Sequence, residues 1–352
     1  MSRAPIPKTV VESFLVDAPE KWSEFDIQVR EAAPERTLLA IDAEWHDDRL
    51  CLVQIAFAGP PNSPNSKRAP HQAAGGGGAK THSSSSAGAR PITVVTIDCL
   101  TLDAHEVQRR LRPIVCDVRF RKLVFDCRED SRMLVQQLGL APAGLFDLQL
   151  LELVTRPHLV AQKAIQNVRG LKSLIAEFPS LAEFIEAKSG HDLTRVGSSA
   201  VFMQRPLAPA TLEYASCDVA ALFALFDELQ QRPKYREGPG RCADLTMRGS
   251  IRYAMVNLAV PNEYRRHNML PLDVLPELAP AQGPRECGGC CRPVAARDRQ
   301  YCVVCYAHVN RQQQQAMPVP AATAVEPQTT ATPPEACRLV MAGVPATNAH
   351  YY

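Results

Sequence analysis

What the chain lacks narrows its class before any motif is read. No stretch approaches the roughly 18 to 20 consecutive apolar residues of a membrane-spanning helix. The opening "MSRAPIPKTVVESFLVDAPE" has no unbroken apolar core of the kind that marks a secretory leader. A dominant charge is missing too: 39 Lys and Arg face 37 Asp and Glu, a formal +2. Any contact with nucleic acid must therefore come from a local patch. No internal repeat is visible. Without a leader, the 12 cysteines read as thiols of an intracellular protein, cytoplasmic or nuclear, some of them metal ligands. No membrane partner is expected.

The 352 residues exceed what one ordinary domain needs, and the 29 prolines are unevenly spread. Residues 60–90, "PPNSPNSKRAPHQAAGGGGAKTHSSSSAGAR", contain almost no large apolar side chains and cannot offset the entropy of ordering. They are expected to be a disordered insertion in a hairpin, because "RLCLVQIAFA" before them and "ITVVTIDCL" after them both read as strands. Loop lengthening of this kind costs little. Helical spacing follows in "DAHEVQRRLRPIVCD", then a short buried strand in "RKLVFD". "REDSRMLVQQLGL" places Met133, Leu134 and Leu138 on one helical face, with Gly139 as C-cap. "FDLQLLELV" reads as a helix capped by Asp147. "GLKSLIAEF" and "SLAEFIEAK" are helical, and "LAPATLEYASCDVAALFALFDELQQ" is the longest helix, with Pro209 in its first turn. This order implies an α/β layer, a mixed sheet covered by helices. The expected organisation is an N-terminal extension over 1–34 and a catalytic-type domain over 35–235. A linker with one possible helix spans 236–283, a Cys-rich module 284–310 and a disordered tail 311–352.

Inside the apolar run "LLAIDAEWHDDRLCLVQIAF" stand Asp42 and Glu44. Two apart in a strand, they project from one side and crowd like charges together. Tyr214 and Asp218 lie four apart on the face of the long helix that continues through Leu222 and Leu225. Asp130 shares the stripe of Leu134 and Leu138. Four carboxylates on core-facing sides suit hard divalent cations such as Mg²⁺ or Mn²⁺. Taken singly, each has a plainer reading: edge-strand acids for Asp42 and Glu44, an ordinary core tyrosine and helix acid for Tyr214 and Asp218, helix-dipole stabilisation for Asp130. Their order along the chain favours a common site.

"DAEW", "DCREDSRML" and "YASCD" resemble the three motifs of the DEDD superfamily, the RNase H-like 3′-5′ exonucleases. Tyr214, four residues before Asp218, resembles the DEDDy branch. "RPLAPATLEYASCDVAALFAL", "GLKSLIAEF" and "FDLQ" are similar to segments of the RNase D-like, exonuclease 3′-5′ domain-containing group. The resemblance spans about residues 35–235. It implies an RNase H-like fold and two-metal phosphodiester hydrolysis at the 3′ end of RNA or single-stranded DNA, releasing nucleoside 5′-monophosphates. It implies two Mg²⁺ or Mn²⁺ held by Asp42, Glu44, Asp130 and Asp218, with Asp42 bridging and Tyr214 orienting the attacking water. Asp126 is the alternative to Asp130 in the second motif. The family often carries His before "DCR", where this chain has Phe125; that His is not one of the four acids, so activity is expected to survive. Trp45 either packs or stacks on a terminal base. The rival reading is a catalytically inactive nucleic-acid-binding or scaffold protein on the same fold.

"CGGCCRPVAARDRQYCVVC" sets Cys287, Cys290, Cys302 and Cys305 in a C-x2-C, eleven-residue, C-x2-C pattern. This is the spacing of a tetrahedral thiolate site for one structural Zn²⁺, for which Cys291 or His308 could substitute as a ligand. From Arg285 to Arg311 there are five arginines against two acids. Arg292, Arg297 and Arg299 therefore suit phosphate contacts, and a solvated knuckle docking a protein partner fits equally. Cys51, Cys99, Cys116, Cys127, Cys217, Cys242 and Cys337 read as buried or incidental thiols.

Overall fold

The computed structural model describes residues 11–34, 37–59, 91–156, 168–184, 199–258, 270–271, 273–278, 285–286 and 293–294. The chain divides into two units, residues 1–157 with 169–251 and residues 158–168 with 252–352.

The first unit is built on a six-stranded mixed sheet. Strands β1 (Val11–Val16), β2 (Leu38–His46), β3 (Arg49–Ala58), β4 (Ile92–Asp98), β5 (Lys122–Val124) and β6 (Leu145–Asp147) lie in the order β1-β4-β3-β2-β5-β6. β2, β3 and β4 form an antiparallel meander, whereas β1 joins β4, β5 joins β2 and β6 joins β5 in parallel. The β2–β3 connection is two residues, Asp47 and Asp48, both at positive φ (47° and 59°). That backbone matches the twist of a tight hairpin, and aspartate tolerates it better than most side chains. β3 and β4 pair with Ala58 opposite Ile92, so the expected hairpin exists; residues 60–90 themselves lie outside the described residues.

Eight α-helices lie among the described residues. They are α1 (Trp22–Glu31), α2 (Ala104–Val115), α3 (Cys127–Leu138), α4 (Leu148–Thr155), α5 (Leu171–Ile175), α6 (Pro209–Gln230), α7 (Pro233–Glu237) and α8 (Pro239–Ala254). Asp103 caps α2 by accepting from the Glu106 N–H at 2.9 Å, and Gly139 ends α3 at φ +59°. α6 carries Pro209 in its first turn and lies against β1 through β5. On the other side α1 seats Phe25 edge-on against Phe57 of β3, 6.4 Å between ring centroids. β3 is buried along nearly its whole length because both faces are covered.

Two stretches differ from the sequence expectation. Residues 11–31, set apart as an extension, supply an edge strand and a packed helix of the same sheet: β1 runs in register beside β4, from Val11 opposite Ile92 to Val16 opposite Ile97. The strand was hidden because "VESFLV" pairs only with a partner some eighty residues away. The "FDLQLLELV" segment splits into β6 and α4, with Asp147 at the junction capping α4 through the Gln149 N–H at 2.8 Å.

Two buried charges lock loops to the sheet. Lys122 is fully buried, and its Nζ donates to the carbonyls of Asp117 (2.6 Å), Phe120 (2.7 Å) and Ala143 (2.7 Å). Burial pulls its pKa down to about 8, against the attraction of the Asp117 carboxylate. Beside it Gly144 sits at φ +65°, where a Cβ would meet the Phe120 carbonyl at 2.4 Å. The second charge is Asp98, 1% exposed, held by the guanidinium of Arg205: one hydrogen bond from Nε and one from Nη2 at 2.7 Å. Arg205 Nη1 also donates to the carbonyls of Phe202 (2.8 Å) and Gln204 (2.7 Å). The segment preceding α6 is thereby tied to the end of β4.

The second unit contains the last residues of α8, where Tyr253 is buried, the 3-10 turn Val256–Leu258, where Val256 is buried, and the segments 270–271 and 273–278, where Leu270, Val274 and Leu275 are buried. Arg252 donates to the Val274 carbonyl at 3.2 Å. Strands β7 (Arg285–Glu286) and β8 (Pro293–Val294) pair antiparallel.

Lys122→Met is expected to destabilise the protein by on the order of 2 kcal/mol at pH 7, because three carbonyls lose their donor. Lys122 is depressed in the folded state, so the unfolded chain holds the proton more tightly. The wild-type-minus-variant difference should therefore grow as pH rises from about 8 towards the ordinary lysine value; urea titrations across that range measure it. Arg205→Ala leaves the buried Asp98 charge without its guanidinium and is expected to cost about 3 kcal/mol in the same assay.

Candidate active site

Asp42 and Glu44 leave the same face of β2. Across the β2–β3 ladder Asp42 pairs with Gln54 and Glu44 with Leu52, and the register then shifts so that Trp45 pairs with Leu50. The bulge leaves Cys51 as the extra residue, and bulges re-aim nearby side chains. α6 crosses that face. One carboxylate oxygen each from Asp42, Glu44 and Asp218 lie within 4.8 Å of one another. Asp218 is buried, whereas Asp42 and Glu44 are half-buried and open to an incoming ligand.

Asp130 arrives from α3. It is buried in the first turn of that helix, where the dipole favours an acid. Burial, followed by the Asp42 carboxylate and then Asp126 and Glu44, pushes its pKa well above the usual carboxylate range. Asp130 therefore stands beside Asp42, outside the tight triad. Asp126 takes a left-handed backbone (φ 57°) as N-cap of α3, and its carboxylate is gripped by Arg128 at 2.5 and 2.7 Å. Of the two candidates for the second motif, Asp130 is the buried one on which the Asp42 charge acts, while Asp126 forms an ion pair with Arg128.

Tyr214 is part-buried against an apolar cluster of Cys51, Leu52, Val201 and Phe202. Leu52 is also the cross-strand partner of Glu44, so the ring is seated next to the acids. The turn Ser199–Met203 closes this side, with Ser199 Oγ 2.9 Å from His46 Nδ1. Trp45 is half-buried at the bulge. Cys51, Cys99, Cys116, Cys127, Cys217 and Cys242 form no disulfide among the described residues, and the first, fourth and last of them are buried. Cys287, Cys290, Cys302, Cys305, Arg292, Arg297 and Arg299 lie outside the described residues.

Several residues that shape the site were not singled out in the sequence. Gln54 is fully buried directly opposite Asp42, and Thr96 is fully buried opposite Gln54. Neither side chain has a hydrogen-bond partner among the described residues. A polar row thus crosses the sheet on the face that bears the acids. The signal was a Gln inside "CLVQIAFA", the same break in an apolar run that exposed Asp42 and Glu44. Arg205 and Ser199 act through the fold, at separations of 107 and 153 residues from their partners Asp98 and His46.

The donor set fits divalent cations. It is all carboxylate oxygen, it draws on two elements of the sheet–helix sandwich, and Asp130 is held in a field that opposes its own charge. A bound cation relieves that repulsion.

Comparison with known proteins agrees with this architecture. The 3′-5′ exonuclease family model matches residues 87–233. A ribonuclease D of Xanthomonas oryzae pv. oryzae is 31% identical over 111 residues, which is 32% of this chain and 26% of that protein. The chain thus matches about a quarter of that relative's length. The structure of Trypanosoma brucei RNase D with GMP superposes with a TM-score of 0.54 at 20% identity, covering 79% of this chain and 75% of that one. The complex of the same enzyme with RNA U12 gives 0.54 at 20% identity, covering 80% and 83%. The chain has the RNase H-like exonuclease fold, and within it residues 87–233 carry the sequence pattern of the 3′-5′ exonuclease family.

Proposed function

We propose that the protein is a metal-dependent 3′-5′ exonuclease of the DEDDy type. It hydrolyses the terminal phosphodiester bond at the 3′ end of RNA or single-stranded DNA and releases nucleoside 5′-monophosphates. The observation that carries this reading is the convergence of one carboxylate oxygen each from Asp42, Glu44 and Asp218 within 4.8 Å. RNA is the better supported substrate: the similar Xanthomonas protein is a ribonuclease D, and the T. brucei RNase D of similar fold forms a complex with RNA U12.

Asp42, Glu44 and Asp218 would hold one Mg²⁺ or Mn²⁺. Asp42 would be shared with a second, which Asp130 meets directly or through water. Such a pair, when bound, supplies Lewis-acid stabilisation of the phosphate and the leaving oxygen and eases deprotonation of water. The chain's own residues do the rest. Tyr214, its ring fixed in the apolar cluster, presents its hydroxyl to orient the attacking water. The half-buried Trp45 borders the site, where a terminal base can stack. One structural Zn²⁺ held by Cys287, Cys290, Cys302 and Cys305 belongs to the same proposal. Its support is the ligand spacing, and the paired β7 and β8 flank the first cysteine pair. Arg292, Arg297 and Arg299 would then meet nucleic acid or a protein partner.

Labelled RNA and DNA oligomers, tagged at either end, should shorten from the 3′ end only when Mn²⁺ or Mg²⁺ is present. Asp42→Asn and Asp218→Asn are expected to slow this by on the order of 100-fold or more. Both should melt at or slightly above the metal-free wild type, since like-charge crowding falls. They should lose the upward melting shift that Mn²⁺ gives the wild type. Tight oligomer binding without shortening would instead establish the inactive scaffold reading.

A further inference from the structure

The residue that orders the acidic cluster is not one of its members. Asp147 stands at the end of β6, fully buried, with its carboxylate between two helix starts. Its Oδ2 accepts from the Cys127 N–H at 2.9 Å and its Oδ1 from the Asp126 N–H at 3.3 Å, both at the head of α3. Oδ1 also accepts from the Gln149 N–H of α4 at 2.8 Å. The backbone of Asp147 is pinned in turn, because its N–H donates to Ser250 Oγ at 2.8 Å, while that hydroxyl donates to the Thr246 carbonyl at 2.7 Å. Two helix heads and one strand end are joined through a single carboxylate.

Asp130 is three residues beyond Cys127, so about 4.5 Å of helical rise separates it from the hydrogen-bonded end. Over so short a rigid lever, the position of the Asp130 carboxylate follows the position of the Cys127 amide. Asp126 enters α3 with a left-handed backbone, which a non-glycine residue adopts only when its surroundings hold it there. The N–H groups of Asp126 and Cys127 are the groups Asp147 takes. Without that acceptor the first turn can relax, and Asp130, repelled by Asp42 and Glu44, has reason to move away.

We propose that Asp147 is a positioning residue for the candidate metal site: it anchors the first turn of α3 and thereby fixes where that turn holds Asp130. This role rests on the exonuclease reading only in that both place a cation between those two acids.

The test is Mn²⁺ calorimetry on the full chain, paired with steady-state kinetics on an RNA oligomer. It compares wild type, Asp147→Asn, Asp147→Ala and Asp103→Ala. Asp147→Asn keeps the shape and one acceptor oxygen and so guards against simple misfolding. Asp103→Ala removes an equivalent cap from α2, which lacks the acids. At temperatures where circular dichroism shows all four folded, Asp147→Asn should weaken the looser Mn²⁺ step by about tenfold, and Asp147→Ala by more. kcat should fall 10- to 100-fold with KM nearly constant, on the order seen for outer-shell partners of metal ligands. Asp103→Ala should leave both readouts unchanged. Wild-type Mn²⁺ uptake with identical uptake by the two Asp147 variants overturns the positioning role alone. Equal weakening by Asp103→Ala reduces it to general stability and overturns it also. No uptake by the wild type overturns the metal reading, and this role with it.

Discussion

Carboxylates brought to within a few ångströms of each other push apart, and the architecture of the first unit can be read as what resists that push. Asp42 and Glu44 are fixed by the ladder to β3, on a strand that β5 also holds at Leu39 and Ala40. Asp218 is carried on a 22-residue helix that lies against five strands. Asp130 rides on a first turn tied down by a buried acid. Each support is covalently remote from the others, so the cluster exists only in the folded chain. Mutual repulsion among these acids is what a bound cation would relieve.

Tyr214 and Asp98 show how the surrounding shell divides its work. The tyrosine ring is positioned by apolar packing, which is short-ranged and tolerant of small shifts. The segment preceding α6 is instead fixed by a bidentate ion pair, which is directional and intolerant. Directional contacts set where the helix begins, while packing holds its face down. Lys122 performs a comparable task at the start of β5, where its ammonium gathers three loop carbonyls.

Much of this was legible in the sequence, and the reason is periodicity. The acids betrayed themselves by interrupting apolar runs whose spacing fixes the face: two for β2, four for α6. Gly139 and Asp147 announced helix ends through local chemistry that needs no tertiary context. What escaped was whatever depends on distant partners. β1 is six residues of unremarkable composition and becomes a strand only beside β4. β6 is three residues long, too short for any period to register, and was absorbed into the helix that follows it. Gln54 carried the signal but not the meaning, since its neighbour Asp42 is visible only once the hairpin closes. The family match begins at residue 87, near the end of the segment 60–90, and so omits Asp42 and Glu44. A long low-complexity stretch breaks an alignment while leaving the strands on either side paired.

That pairing carries a further consequence. β3 presents Leu52 to Glu44 near one end and Ala58 to Ile92 at the other. Six residues of extended chain, about 20 Å, separate them. Whatever length of polypeptide joins Ala58 to Ile92 therefore enters and leaves the sheet at the margin farthest from the acids. A substitution at either strand end that brackets it, Ala58 or Ile92, reaches the acids only through the length of the β3 ladder.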